Sequence, residues 1–170
     1  MPPEQYHATL VFLGATDPDR VPAVSAAIAS VAAAGHPFDV MTGDGSGRAG
    51  GRRGGVAWLR LDAGRKRMEE LAWVVDSEIG SRLYTAAAPP RPHVTVARGV
   101  DEALLADLRD TARDVRLPWR VERIVLYRSH TGPRGSMYEE LVSTQLRTID
   151  ATSLACLDSA PQSNKGFDRE

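Results

Sequence analysis

The sequence predicts an α+β fold of two lobes that face each other across a cleft. Three observations predict it. Strand-like and helix-like segments follow one another as strand, helix, strand pair, helix, strand, helix, strand pair. Two of the strands carry the same short pattern, His7-Ala8-Thr9-Leu10 and His93-Val94-Thr95-Val96, a faint internal duplication. The composition is that of a folded domain, with 42% hydrophobic and 25% charged residues among 170.

The elements follow in order. Residues 6–14 are rich in β-branched and aromatic side chains and end at Gly14, which reads as a strand. Asp17 and Asp19 supply turn and cap chemistry for a helix over residues 21–34, with Val24, Ala27, Ile28, Val31 and Ala32 at helical spacing. Gly35 stands at its C-terminal cap and Pro37 prevents continuation. Residues 38–41 form a short strand. Residues 43–55 are dense in glycine and read as a loop bearing Arg48, Arg52 and Arg53. Residues 56–61 alternate as a strand, making a long hairpin around that loop.

A second helix spans residues 66–83, with Met68, Leu71, Ala72, Val75 and Ile79 on one face. A proline-rich approach at residues 86–92 leads into the second His-x-Thr strand, residues 93–98. A third helix spans residues 101–115, capped by Asp101, with Leu104, Leu105, Leu108 and Ala112 buried. Residues 119–127 alternate as a strand whose register slips near Arg123. A turn at Gly132-Pro133-Arg134-Gly135 returns the chain into a last strand over residues 137–146. From residue 147 to 170 no period is sustained, so a folded domain is expected over residues 1–146, followed by a disordered tail.

This inventory argues against several function classes. No run of eighteen apolar residues exists, and the first residues lack the basic and apolar regions of a signal peptide, so a cytoplasmic protein with no membrane partner is expected. A formal net charge of −1 argues against a strongly basic nucleic-acid clamp, while leaving room for a local basic patch. The single cysteine, Cys156, rules out an internal disulfide and any cysteine-cluster metal site. No carboxylate stands at metal-ligand spacing to His7 or His93, so neither a metal nor another cofactor is expected.

Some residues have a plain structural reading. Trp58, Trp73 and Trp119 are expected as core anchors in preference to base-stacking platforms, and Phe12 as core because its parity opposes that of His7. His36 reads as a surface cap, and His130 as a turn residue in preference to a place at the cleft rim. Arg48, Arg52 and Arg53 read either as a solvated loop or as a basic flap over an RNA backbone. Tyr127 and Arg128 could each reach a substrate, and strand parity does not choose between them.

The repeated motif carries the chemistry. On a strand, residues i and i+2 point to the same face, so each copy presents an imidazole beside a hydroxyl. Two imidazoles across a cleft suit a reaction in which one takes a proton from a nucleophile and the other gives one to a leaving oxygen. Free imidazole titrates near neutral pH, which lets both forms coexist. The threonine hydroxyls can donate to the non-bridging oxygens of a phosphate held between them.

Through these motifs the chain resembles the RNA 2′,3′-cyclic phosphodiesterases, also called 2′-5′ RNA ligases, of the 2H phosphoesterase superfamily. The resemblance runs over residues 2–146. Its anchors are Pro3-Glu4-Gln5-Tyr6-His7-Ala8-Thr9-Leu10-Val11-Phe12-Leu13-Gly14 and Arg91-Pro92-His93-Val94-Thr95-Val96-Ala97-Arg98. A third is Val125-Leu126-Tyr127-Arg128-Ser129, followed by a glycine-bearing turn and Tyr138. The resemblance implies a bilobal 2H phosphoesterase-like fold, with two antiparallel sheets lining a central cleft and helices on the outside.

It further implies hydrolysis of a 2′,3′-cyclic phosphate on RNA ends or nucleotides to a 2′-phosphate. His7 would be the proton donor and His93 the proton acceptor. Thr9, Thr95 and Arg98 would bind the phosphate. Family members carry a strand and a helix before the first motif, and only six residues precede His7 here. The chain is therefore expected to lack that first unit and to present an unpaired sheet edge through which copies could associate. No obligate protein partner is inferred. Two other readings share the fold: an inactive RNA-binding module, and an enzyme for another cyclic phosphate or a 2′-5′ linkage.

Overall fold

The computed structural model describes residues 5–49, 54–83, 91–132 and 135–147. They form β1 (Ala8–Thr9), a short 3-10 turn (Pro18–Arg20), α1 (Val21–Ala34), β2 (Phe38–Arg48) and β3 (Gly55–Leu61). There follow α2 (Arg65–Leu83), β4 (His93–Val100), α3 (Glu102–Ala112), β5 (Pro118–Val121), β6 (Arg123–Gly132) and β7 (Gly135–Gln145). Five strands make an antiparallel sheet in the order β1-β4-β3-β2-β5, and β6 and β7 make a separate hairpin. The α+β class and the two antiparallel sheets are those expected.

Local chemistry explains where the helices begin and end. Before α1, the Asp17 carboxylate accepts from the backbone N–H of Asp19, and a proline occupies the first turn of the helix, where its missing N–H is harmless. At the other end the Gly35 N–H donates to the Val31 carbonyl, and the Leu146 side chain fills the space beside Gly35. At α3 the Asp101 carboxylate accepts from the Leu104 N–H at 2.8 Å, a cap that contributes about 1 kcal/mol.

The core decides which sheet face stays open. On β3, Gly55, Ala57, Leu59 and Leu61 are buried and alternate with less buried Val56, Trp58 and Arg60. Leu61 joins the large cluster under α1 and α2 with Phe38, Val40, Met68 and Ile79, while Ala57 packs with Val100 and Leu105 under α3. All three helices therefore cover the same face of the sheet. The opposite face carries Trp58 and Arg60.

Several expected elements are corrected. Residues 6–14 do not form one strand: only Ala8 and Thr9 are paired, because their ladder with β4 is two residues long. Beyond it Leu10, Val11 and Leu13 pack on the core without strand pairing, and Phe12 is 82% exposed and not core. The glycine-dense segment is strand as far as Arg48. Gly45 and Gly47 sit under α3, where the side chains of Ala112 and Leu105 come close enough to fill the room a side chain would need. The expected strand over residues 119–127 breaks at Glu122: β5 joins the sheet beside β2, while β6 turns away to pair with β7.

Trp73 and Leu104 are exposed, on the outer faces of α2 and α3, and α3 ends at Ala112. Arg52, Arg53, the proline-rich approach up to residue 90 and the expected tail from residue 148 lie outside the described residues.

The packing of α3 on Gly47 is open to test. A Cβ there would meet the Leu105 side chain and lie 2.7 Å from the Val56 carbonyl oxygen. Gly47→Ala is expected to lower unfolding free energy by about 1–3 kcal/mol in urea titrations. Phe12→Ser should stay within about 0.5 kcal/mol of the parent. The reverse ranking would refute this packing.

Candidate active site

The site is built by the register of β1 on β4. Ala8 pairs with Val94 and Thr9 with His93. Continuing that antiparallel register by one residue sets His7 across from Thr95. The four side chains therefore form a square on one face, each histidine opposite the other strand's threonine. The imidazoles stand on a diagonal, where backbone positions lie about 7–8 Å apart. Ala8 points the other way and packs on the large core cluster. Thr95 is buried, whereas His7, Thr9 and His93 are half-buried.

Each histidine is oriented by its own backbone in the same manner. His7 Nδ1 lies 3.0 Å from the Gln5 carbonyl oxygen, and His93 Nδ1 lies 2.7 Å from the Arg91 carbonyl oxygen. A carbonyl only accepts, so Nδ1 carries the proton in both rings. That leaves Nε2 as the nitrogen able to accept a proton in the neutral ring and to donate one in the cation. The two motifs thus share local geometry as well as sequence.

Arg98 reaches this face through an irregularity. By alternation alone, a residue five positions after His93 points to the opposite face. The ladder with β3 pairs Trp58 with Thr95 but Ala57 with Ala97, so β4 holds one extra residue at Val96. The bulge returns Arg98 to the side of His93 and Thr95, and both Val96 and Ala97 pack toward the core. Arg98 Nη2 donates to the Tyr138 hydroxyl at 3.2 Å.

The β6–β7 hairpin closes the site over His7. The Tyr138 ring stands edge-on to the imidazole with centroids 4.5 Å apart, and Tyr127 lies at 5.5 Å. The Tyr138 N–H donates to Gln5 Oε1 at 2.9 Å. Gln5 therefore holds the hairpin with its side chain and His7 with its carbonyl. Tyr127 is the member of its pair that faces the histidine. Arg128 lies at the rim, with its guanidinium 3.5 Å from Glu139.

Five sequence-predicted residues, His7, Thr9, His93, Thr95 and Arg98, are brought together along one groove of about 1560 Å³. That is more than a nucleotide needs. The groove's lining also takes in Val24, Ile28, Met68, Val75 and Ile79 of the large core cluster. Spacing assigns no role to Gln5, and it places Trp58 in the core. Gln5 acts through a contact 133 residues away, which no spacing reveals. Trp58 was expected in the core, yet it lies on the open face with its ring 5.9 Å from His93. A signal existed: Trp58 alternates with buried Ala57 and Leu59. Tyr138, an anchor of the resemblance, takes a role that spacing alone did not assign.

The other two histidines stand apart from the square. His36 donates from Nδ1 to the Arg147 carbonyl at 3.1 Å, and His130 lies in β6, 2.7 Å from the Glu139 carboxylate. Among the described residues no cluster of three or more histidine, cysteine or acidic side chains could hold a metal ion, and no helix is long and apolar enough to cross a membrane.

Fold and site together define an α+β protein with helices on one side of an antiparallel sheet and paired His-x-Thr motifs on the other. The chain belongs to the 2′-5′ RNA ligase superfamily, whose family model matches residues 2–133. Among solved structures it resembles TT0787 of Thermus thermophilus, at 26% identity and a TM-score of 0.64 over 86% of this chain and 81% of that one. It also resembles E. coli LigT solved with 3′-AMP, at 23% identity and a TM-score of 0.65 over 85% and 79% of the two chains. A comparison with curated proteins produced no significant match.

The hairpin's outer face supplies a pH prediction. The hydrogen bond from His130, aided by Arg128, holds the Glu139 carboxyl below the usual glutamate range. A lowered carboxyl contributes stability above its ordinary value and loses it as pH falls through the lowered one. In a carbon NMR titration, Glu139 should titrate below other exposed glutamates and move upward in His130→Ala. An unchanged midpoint would contradict the pairing.

Proposed function

We propose that the protein hydrolyses 2′,3′-cyclic phosphates of RNA ends or nucleotides to 2′-phosphates, using its two histidines as acid and base. One observation carries the reading: two imidazoles, each with Nδ1–H tied to a backbone carbonyl, share one face with two threonine hydroxyls. Superfamily membership supports it. So do the complexes of E. coli LigT with 3′-AMP and with phosphate, since they are nucleotide and phosphate ligands of a related fold.

The cyclic phosphate lies within the square. Thr9 and Thr95 donate to its non-bridging oxygens, and Arg98 adds positive charge. His93 Nε2 takes a proton from a water as that water's oxygen bonds to phosphorus. The P–O3′ bond breaks, and protonated His7 gives its Nε2 proton to the departing O3′. The product is a 2′-phosphate beside a free 3′ hydroxyl, with both protons accounted for. The near-symmetric square would serve either assignment of acid and base, and the family resemblance supplies His7 as donor and His93 as acceptor. The charge is met by side-chain donors, so the reaction is expected to proceed in chelator.

Two results are expected. Incubation with a nucleoside 2′,3′-cyclic phosphate in chelator should yield the 2′-phosphate, and His7→Ala or His93→Ala should each lower kcat by about 10²–10⁴. No product from the parent, or full turnover in His93→Ala, would sink the proposal. The rate should also trace a bell against pH around neutrality, because one imidazole must be neutral and the other protonated. A flat profile between about pH 5 and 8 would argue against imidazole acid–base work.

A further inference from the structure

We propose that the open face of the five-stranded sheet is a track for the nucleotides preceding the cyclic phosphate, with Trp58 stacking on one of their bases. The enzyme would then prefer ends of single-stranded RNA over mononucleotides. This inference rests on the cyclic phosphodiesterase reading of the same site.

The track starts at the catalytic square. Trp58 pairs directly with Thr95 on β4 and with Ser46 on β2, so it occupies the middle of the face next to His93, half-buried, with the helices on the other side. An aromatic ring on an open sheet face offers any base a stacking surface without reading its sequence.

Cations flank the ring. Arg60, two residues along β3, donates to Ser46 Oγ at 3.4 Å, which lays it across the same face. Arg48, two residues beyond Ser46 on β2, shares that face on the other side of Trp58. Their charge is not neutralised locally. Arg113, Arg116, Arg120, Arg123 and Arg128 each meet a carboxylate within 4.0 Å. Among the described residues, Arg48, Arg60 and Arg98 meet none. Unpaired guanidiniums flanking an aromatic ring suit a phosphodiester backbone with stacked bases. A positive stripe on this face is compatible with a net charge of −1 over the whole chain.

The test compares oligoribonucleotides of one to four residues, each ending in a 2′,3′-cyclic phosphate, at low salt in chelator. From one to three residues kcat/KM should rise about 10-fold or more and then level off. The trimer-to-monomer ratio should collapse toward one in Trp58→Leu and in the double variant Arg48→Gln, Arg60→Gln, with melting curves confirming that each is folded. Equal kcat/KM at every length, or a length preference that survives in both variants, overturns the track. The same lengths ending in a 2′-phosphate are titrated by calorimetry. If nothing turns over, the hydrolase reading fails alone: affinity that grows with length and weakens in Trp58→Leu upholds the track, and affinity independent of length overturns it.

Discussion

A two-residue antiparallel ladder between β1 and β4 holds the chemistry of this protein together. Side chains alternate along a strand, so a one-residue slip in this pairing would send His7 and Thr9 to the helical face and bring Ala8 to the cleft. Two ladder pairs are a weak constraint by themselves. The register is secured on either side: Leu10, Val11 and Leu13 are held by the apolar cluster, and Gln5 is held by the Tyr138 backbone. Burial of Ala8 and Leu10 adds a preference for the observed face. The geometry of the candidate site is thus a by-product of how the core selects one face of a short strand.

The second half of the site depends on a defect in alternation. Extra residues at Val96 and Gly99 let β4 place His93, Thr95 and Arg98 on one face while Ala97 and Val100 remain in the core. Arg98 then meets the Tyr138 hydroxyl, which links the sheet to the separate β6–β7 hairpin. Tyr138 touches His7 with its ring, Arg98 with its hydroxyl and Gln5 with its backbone. A single hairpin residue thereby couples both motifs, and the two sheets act as one site.

Much of this was legible in the sequence, for physical reasons. Helical spacing in α1 and α2 and alternation in β3 and β4 report burial directly, and burial decides those elements. The square was legible because i, i+2 spacing on a strand is a geometric statement. Other features depend on distant partners. Residues 10–14 look like strand but have no ladder, so parity no longer governs there and Phe12 stands in solvent. Residues 43–48 look like loop because glycine is a poor strand former, yet here the glycines make room for α3. The face of Arg98 depends on a bulge, which composition does not announce. Trp58 shows the limit of residue type as a guide: a tryptophan is read as core until its cross-strand neighbour is known.

In the proposed reaction both imidazoles act on one phosphate from one face, each through Nε2. Nitrogen NMR of the imidazoles, with and without a nucleoside 2′-monophosphate, tests it most directly. His7 and His93 should both carry their proton on Nδ1 in the neutral form, and both Nε2 signals should shift together at one ligand per chain. A proton on Nε2 in either neutral ring, or a ligand that moves one histidine and leaves the other untouched, would contradict it.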